Sequence, residues 1–179
     1  MHKSEIPEDY RMNDQGSPWT NLTHVGLVVR DLDQTVTLYE TLGAGPFKRF
    51  RLPGQNFEVK FRQHFGVSAD DHVQEVAWGS MGPIAVEIFQ CIRGDSIPQR
   101  FLDTRGEGIW HYGYDVEDMK YTIAWMAARG YNIIGEAEYV DGTRMCYFNT
   151  EQVGGVYFQA HEIAQGSRLK HNLQADSPK

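Results

Sequence analysis

Two histidines, His24 and His111, each open an alternating apolar run, THVGLVV and WHYGYDV, and each is followed two positions later by a glycine, Gly26 and Gly113. One histidine at a strand start is ordinarily a half-buried structural residue. The same residue at a repeated position asks for a partner at a second repeated position. Aligning GPIAVEIF (82–89) with GGVYFQAH (154–161) through the glycine turns places Glu87 opposite Gln159. On the strand period of two, Glu87 shares a face with Ala85 and Phe89, and His24 shares one with Gly26 and Val28. A carboxylate on such a face is costly unless it is paired or bound to metal. Two imidazoles, a carboxylate and an amide oxygen converging in a concave sheet suit one divalent transition metal with open coordination positions. His161 lies on the same face as Gln159, two residues further on. It is an acid–base or supporting candidate, with a satisfied rim histidine as the plain alternative. His2, His64, His72 and His171 carry no such signal.

The elements that must position these residues form an internal repeat. Residues 24–43 slide by 87 positions onto 111–130 without a gap, and six of the 20 positions are identical: His24/His111, Gly26/Gly113, Val29/Val116, Asp31/Asp118, Thr35/Thr122 and Gly43/Gly130. Background composition gives roughly one match, so the two halves are copies. Each copy predicts a strand, an acidic turn, an amphipathic helix closed by glycine, and three further strands. The strands are expected near 22–30, 47–53, 73–81 and 84–92, then near 108–116, 131–140, 143–150 and 155–162, with helices over 32–42 and 119–129. The fold class is α+β, with two βαβββ modules (about 20–93 and 106–163) in one domain, 19–164. The polar segments 1–18 and 165–179 are expected to be flexible. The stretch 54–70 reads as a long connection and a candidate lid.

Composition excludes several functions. The net charge is −7 and the 17 basic residues are scattered, which argues against nucleic acid or an anionic membrane as partner. No apolar run is long enough to span a bilayer, and the two cysteines, Cys91 and Cys146, have no metal-like spacing. The expectation is a cytoplasmic protein with a small-molecule substrate. Exposed sheet edges lead us to expect a homodimer.

The segments LTHVGLVVRDLDQTVTLYETLGAGPF, AVEIFQ, GEGIWHYGYDVEDM and GGVYFQ, in this order and register, resemble the vicinal oxygen chelate superfamily of glyoxalase I, methylmalonyl-CoA epimerase, extradiol dioxygenases and bleomycin-resistance proteins. The epimerase and glyoxalase I-like branch is the most similar. The resemblance implies that the two modules form an open barrel around one divalent metal ion (Fe, Co, Ni, Zn or Mn), held from the first and fourth strand of each module by His24, Glu87, His111 and Gln159. It also implies a substrate that chelates the metal through vicinal oxygens. The epimerases carry an amide where this chain has Glu87 and a carboxylate where it has Gln159, so the two are exchanged here. Gln159 cannot take a proton.

Three functions follow from this pattern. The first is proton transfer next to a carbonyl, as in an isomerase, epimerase or glyoxalase-type lyase, with Glu87 as base. Epimerisation needs a second base, for which the resemblance points to Asp71, with His72 or Glu75 one small shift away. The second is a ring-cleaving dioxygenase, since two histidines and a glutamate form the set suited to non-haem iron(II). The third is a metal-free binding or resistance protein, which the intact His, Glu, His set argues against. Coenzyme A is not favoured, because Lys60, Arg62, Arg100 and Arg105 form no phosphate-binding cluster.

Overall fold

The computed structural model describes residues 16–54, 58–152 and 154–167. Most of the expected flexible ends therefore lies outside the described residues. The first module consists of β1 (Asn21–Val29), α1 (Leu32–Thr41), β2 (Lys48–Leu52), β5 (Val73–Met81) and β6 (Ile84–Arg93). The second consists of β7 (Gly108–Asp115), α3 (Met119–Ala127), β8 (Ile133–Tyr139), β9 (Arg144–Phe148) and β10 (Tyr157–Glu162).

Four of the six repeated identities do the same local work in both copies. Asp31 and Asp118 are N-caps, whose carboxylates accept from the N–H of Gln34 at 2.9 Å and of Tyr121 at 3.0 Å. Thr35 and Thr122 each donate a hydroxyl to the carbonyl of that same aspartate at 2.8 Å. Gly43 and Gly130 follow the helices with φ of +88° and +84°, a left-handed backbone that glycine adopts without strain. Val29 is buried at the end of β1 and Val116 just past the end of β7. His24/His111 and Gly26/Gly113 remain, and they belong to the site.

With β3 (Val59–His64) and β4 (Val67–Ser68), the described strands join one curled, half-barrel sheet in the order β2-β5-β6-β1-β7-β10-β9-β8-β3-β4. Its pseudo-twofold runs between β1 and β7, which are antiparallel, while β1–β6 and β7–β10 are parallel. Helices α1 and α3 cover equivalent parts of the outer face. Leu32 and Val36 pack on Leu27, Val29 and Ile88, and Met119 and Met126 pack on Val116, Phe148 and Ala160. The concave side has its own core around Val28, Val76, Phe89, Trp110 and Tyr147.

Two elements depart from expectation. Residues 55–57 of the candidate lid lie outside the described residues, and much of the rest is sheet: β3 (Val59–His64) and β4 (Val67–Ser68) leave the first module, and β3 pairs antiparallel with β8 of the second. The pattern misleads because it is inverted, with Phe61, Phe65 and Val67 exposed while Arg62 and His64 are buried. The segment between the modules, for which no element was expected, holds α2 (Ile97–Arg105). Ser96 caps it, a proline sits in its first turn and Gly106 ends it, while Ile97, Phe101 and Leu102 close one end of the concave core. The sheet edges are also blunted. β2 carries Lys48, Arg49 and Arg51, and β4 has only two residues, so the edge argument for a homodimer loses its force.

Candidate metal centre

The site is built on two bulges related by the pseudo-twofold. Along β1 and β7, Leu22 faces Tyr114 and His24 faces Gly113, so Thr23 has no partner; Gly26 faces His111 and Leu27 faces Ile109, so Trp110 has none. Thr23 and Trp110 are equivalent residues, each one position before its histidine. A bulge re-aims side chains, and here it brings consecutive residues to one side. The Thr23 hydroxyl lies 2.9 Å from His24 Nδ1, and the Trp110 ring centroid lies 4.3 Å from that of His111. The parallel neighbours complete the set, with Glu87 opposite Gly26 and Gln159 opposite Gly113.

The four polar side chains meet at the centre of the concave face. His24 Nε2 lies 3.1 Å from His111 Nε2, 3.0 Å from Gln159 Oε1 and 3.4 Å from Glu87 Oε2, and Glu87 Oε2 is 3.6 Å from His111 Nε2. Both histidines are fully buried and Glu87 and Gln159 nearly so. The supporting bonds decide which atoms face inward. Thr23 donates its hydroxyl hydrogen to Gly113 O at 3.1 Å, so it accepts from His24 Nδ1–H, and the lone pair of neutral His24 is left on Nε2. The Gln159 amide nitrogen donates to Tyr147 Oη at 2.6 Å, which turns Oε1 toward His24. The imidazole nitrogen and the amide oxygen are then two acceptors in contact with no hydrogen between them. A divalent cation at the centre satisfies both, together with Glu87 and His111, so these residues fit a metal. The pseudo-twofold fails in one detail: Trp110 offers no acceptor where Thr23 does, and His111 Nδ1 is buried without a partner.

Electrostatics follow from burial and from these contacts. Burial alone would raise the Glu87 carboxyl, but the two imidazoles beside it, His111 and then His24, outweigh burial and hold it at about 2. Burial lowers His111 to about 4, against the pull of Glu87. His161 is lowered to about 3, by burial and then by the charge of His24, on which its ring stacks at 5.4 Å. A cavity of about 50 Å³ opens from the centre, with Glu87, Gln159, His161 and Tyr147 on its wall.

His24, Glu87, His111, Gln159 and His161 are thus brought together. Asp71 is exposed and lines neither this cavity nor its neighbour, whereas the adjacent His72 is buried and faces the neighbouring compartment. Glu75 is spent on Arg51, an ion pair on the paired strand β2. The geometry therefore lends no support to a second base at Asp71. Sequence reasoning missed Thr23 and the supporting bond that Tyr147 makes to Gln159. The repeat held a signal for Thr23, which precedes His24, but Trp110 in its place hid it.

A family model described as the Glyoxalase/Bleomycin resistance protein/Dioxygenase superfamily matches residues 23–148, which takes in His24, Glu87 and His111 and stops short of Gln159. No curated protein matches. Among solved structures, the chain is similar to methylmalonyl-CoA epimerase from Mycobacterium tuberculosis at 21% identity and a TM-score of 0.59, covering 92% of this chain and 99% of that one. It is also similar to the Streptomyces coelicolor methylmalonyl-CoA epimerase in complex with 2-nitronate-propionyl-CoA at 19% identity and a TM-score of 0.55, covering 83% and 97%. A hypothetical protein from Bacillus halodurans C-125 shares 17% identity at a TM-score of 0.55, covering 80% and 94%.

Proposed function

Because this chain belongs to the glyoxalase/bleomycin resistance/dioxygenase superfamily, we propose that it is a divalent-metal-dependent enzyme that transfers a proton next to the carbonyl of a small substrate bearing vicinal oxygens. The observation that carries this reading is the buried set of His24, Glu87 and His111, whose ligand atoms all lie within 4.8 Å of one another, with Glu87 also on the wall of a cavity. His24, His111, Glu87 and Gln159 would hold the cation. Bound there, the cation supplies Lewis acidity toward adjacent substrate oxygens.

The remaining chemistry belongs to side chains. Tyr147 fixes the Gln159 amide and Thr23 fixes the His24 ring, so the centre is organised before substrate enters. Glu87 is ionised and His161 neutral at pH 7, so both can accept a proton, and both line the cavity. Gln159 cannot, and the exchange of amide and carboxylate between the modules moves the base to the Glu87 side. The burial of the set keeps competing water away from the transferred proton.

The donor set itself favours one second reading. Two imidazoles and one carboxylate are the ligands of non-haem iron(II) oxygenases, and a ring-cleaving dioxygenase would use Glu87 purely as an iron ligand. The deciding experiment is metal analysis of anaerobically prepared protein, wild type and His111→Ala, followed by turnover in deuterated buffer with dioxygen monitored. Stoichiometric metal lost in the variant, and solvent deuterium at the carbon next to the carbonyl, are the expected results. Consumption of one dioxygen per product without deuterium would replace the isomerase with the dioxygenase. Metal content unaffected by the substitution would remove both and leave the binding protein.

A further inference from the structure

On β3, the strand whose pattern is inverted, Arg62 and His64 expose only 6% and 7% of their surfaces, which makes them as buried as core residues. They line a second compartment of about 20 Å³ that shares Leu52, Gln74, Tyr139, Met145 and Tyr147 with the cavity of the metal centre. The two spaces are adjoining parts of one concave interior.

Several groups around this compartment hold nitrogens that have no partner among the described residues. Arg62 is permanently charged, yet the acceptors it meets are neutral: Nε and Nη2 donate to Ala69 O at 3.2 and 2.8 Å, and Nη2 donates to His72 O at 2.5 Å. Its Nη1 has no acceptor among the described residues. Asp70 and Asp71 follow along the same turn, but both are exposed and neither bonds the guanidinium. Among the described residues no carboxylate lines the space. Two more lining residues carry buried nitrogens without partners, His64 Nδ1 and Trp110 Nε1, and an indole nitrogen can only donate. A buried cation without a counter-charge is unfavourable, and buried polar atoms in native proteins are nearly always paired.

We infer that the Arg62 compartment receives a carboxylate group of the substrate, which is therefore an organic acid anchored at one end by Arg62 and presenting its reacting oxygens at the other. The inference rests on the reading of the metal centre only for that reacting end. A carboxylate fits better than a phosphate on two counts. The space is small, and one permanent cation lines it, which balances one negative charge but not two. The arginine fork, with its planar donor edge, matches a carboxylate plane. The plainer role, a clamp on the turn through Ala69 O and His72 O, uses Nε and Nη2 only. It accounts for neither Nη1 nor the two unpaired ring nitrogens.

The test uses the full chain freed of metal, titrated with hexanoate, hexanamide and hexyl phosphate while the arginine Nε–H and tryptophan indole N–H resonances are followed. Hexanoate is expected to move the resonances of Arg62 and Trp110 and to bind about tenfold tighter than either analogue. Arg62→Gln should remove that preference. Should this variant fail to fold because the turn has lost its clamp, Trp110→Phe deletes one donor and keeps the ring, and it should weaken hexanoate alone. Equal binding of hexanamide, or hexanoate affinity unchanged in the variant that folds, would overturn the inference, and tighter binding of hexyl phosphate would overturn the carboxylate. The titration needs no metal, so it can succeed where the metal reading fails, and the reverse.

Discussion

The imidazole of His24 lies directly against Gly113 of the neighbouring strand, where an added Cβ would sit 1.8 Å from its Cε1; His111 lies against Gly26 with the same 1.8 Å. Each glycine of the repeat therefore makes room for the histidine of the other copy. The pairing explains why the two residue types recur together at a spacing of two. It also explains why neither module can build the centre alone.

Gly113→Ala should therefore displace the His24 ring, and Gly26→Ala the His111 ring. Both variants are expected to lose stoichiometric metal. Each should be destabilised by about 1–3 kcal/mol, the usual cost of overpacking a rigid site. Metal analysis and urea unfolding check this, and wild-type metal content in either variant would contradict the packing account.

Thr23 should matter for metal affinity without being a ligand. Thr23→Val keeps the shape and removes the acceptor for His24 Nδ1–H, so Nε2 is no longer held as the lone-pair nitrogen. A loss of about 10- to 100-fold in affinity is expected, with stoichiometry intact. Competition with a chelator of known affinity measures it, and an unchanged constant would show that the hydrogen bond does not orient the ring.

The two module-end residues should respond oppositely to exchange. Glu87→Gln retains an oxygen for coordination but deletes the proton acceptor. Turnover should fall on the order of a hundred- to ten-thousand-fold, with a smaller loss of metal. Gln159→Glu should keep metal and a measurable rate. If Glu87→Gln retains turnover, His161 becomes the base, and His161→Gln should then abolish deuterium exchange.

His64 should make the protein sensitive to acid. Burial, followed by the like charges of His72 and Arg62, lowers it from 6.5 to about 3. As pH falls below about 6.5 the unfolded chain takes up a proton at this residue, and the folded chain does not until about 3. Its contribution to stability is thus whole above 6.5 and is lost progressively down to 3, a few kcal/mol in all. Urea midpoints between pH 7 and pH 4 should fall more steeply for the wild type than for His64→Phe. Parallel curves would refute this assignment.

The repeat, the helix caps, the turn glycines and the four ligand candidates were legible in the sequence, because each is set by short-range chemistry and then written twice. An N-cap aspartate, a glycine in left-handed backbone and a strand alternation depend on neighbours a few residues away. The gapless offset between the copies carried the two histidines, and the alignment of the glycine turns added Glu87 and Gln159. What only tertiary structure decided are relationships between segments far apart in sequence. The bulges at Thr23 and Trp110 arise from the pairing of β1 with β7. Tyr147 reaches Gln159 because β9 lies beside β10. The segment 54–70 read as a lid because it is long for a connection. Within it Val59–His64 is a strand because β8 supplies a partner, and the inward residues of that strand are polar because they line the interior where, on our reading, a substrate binds. Periodicity reports burial against the protein's own core, and it fails where the inward side chains, Arg62 and His64, line a cavity instead.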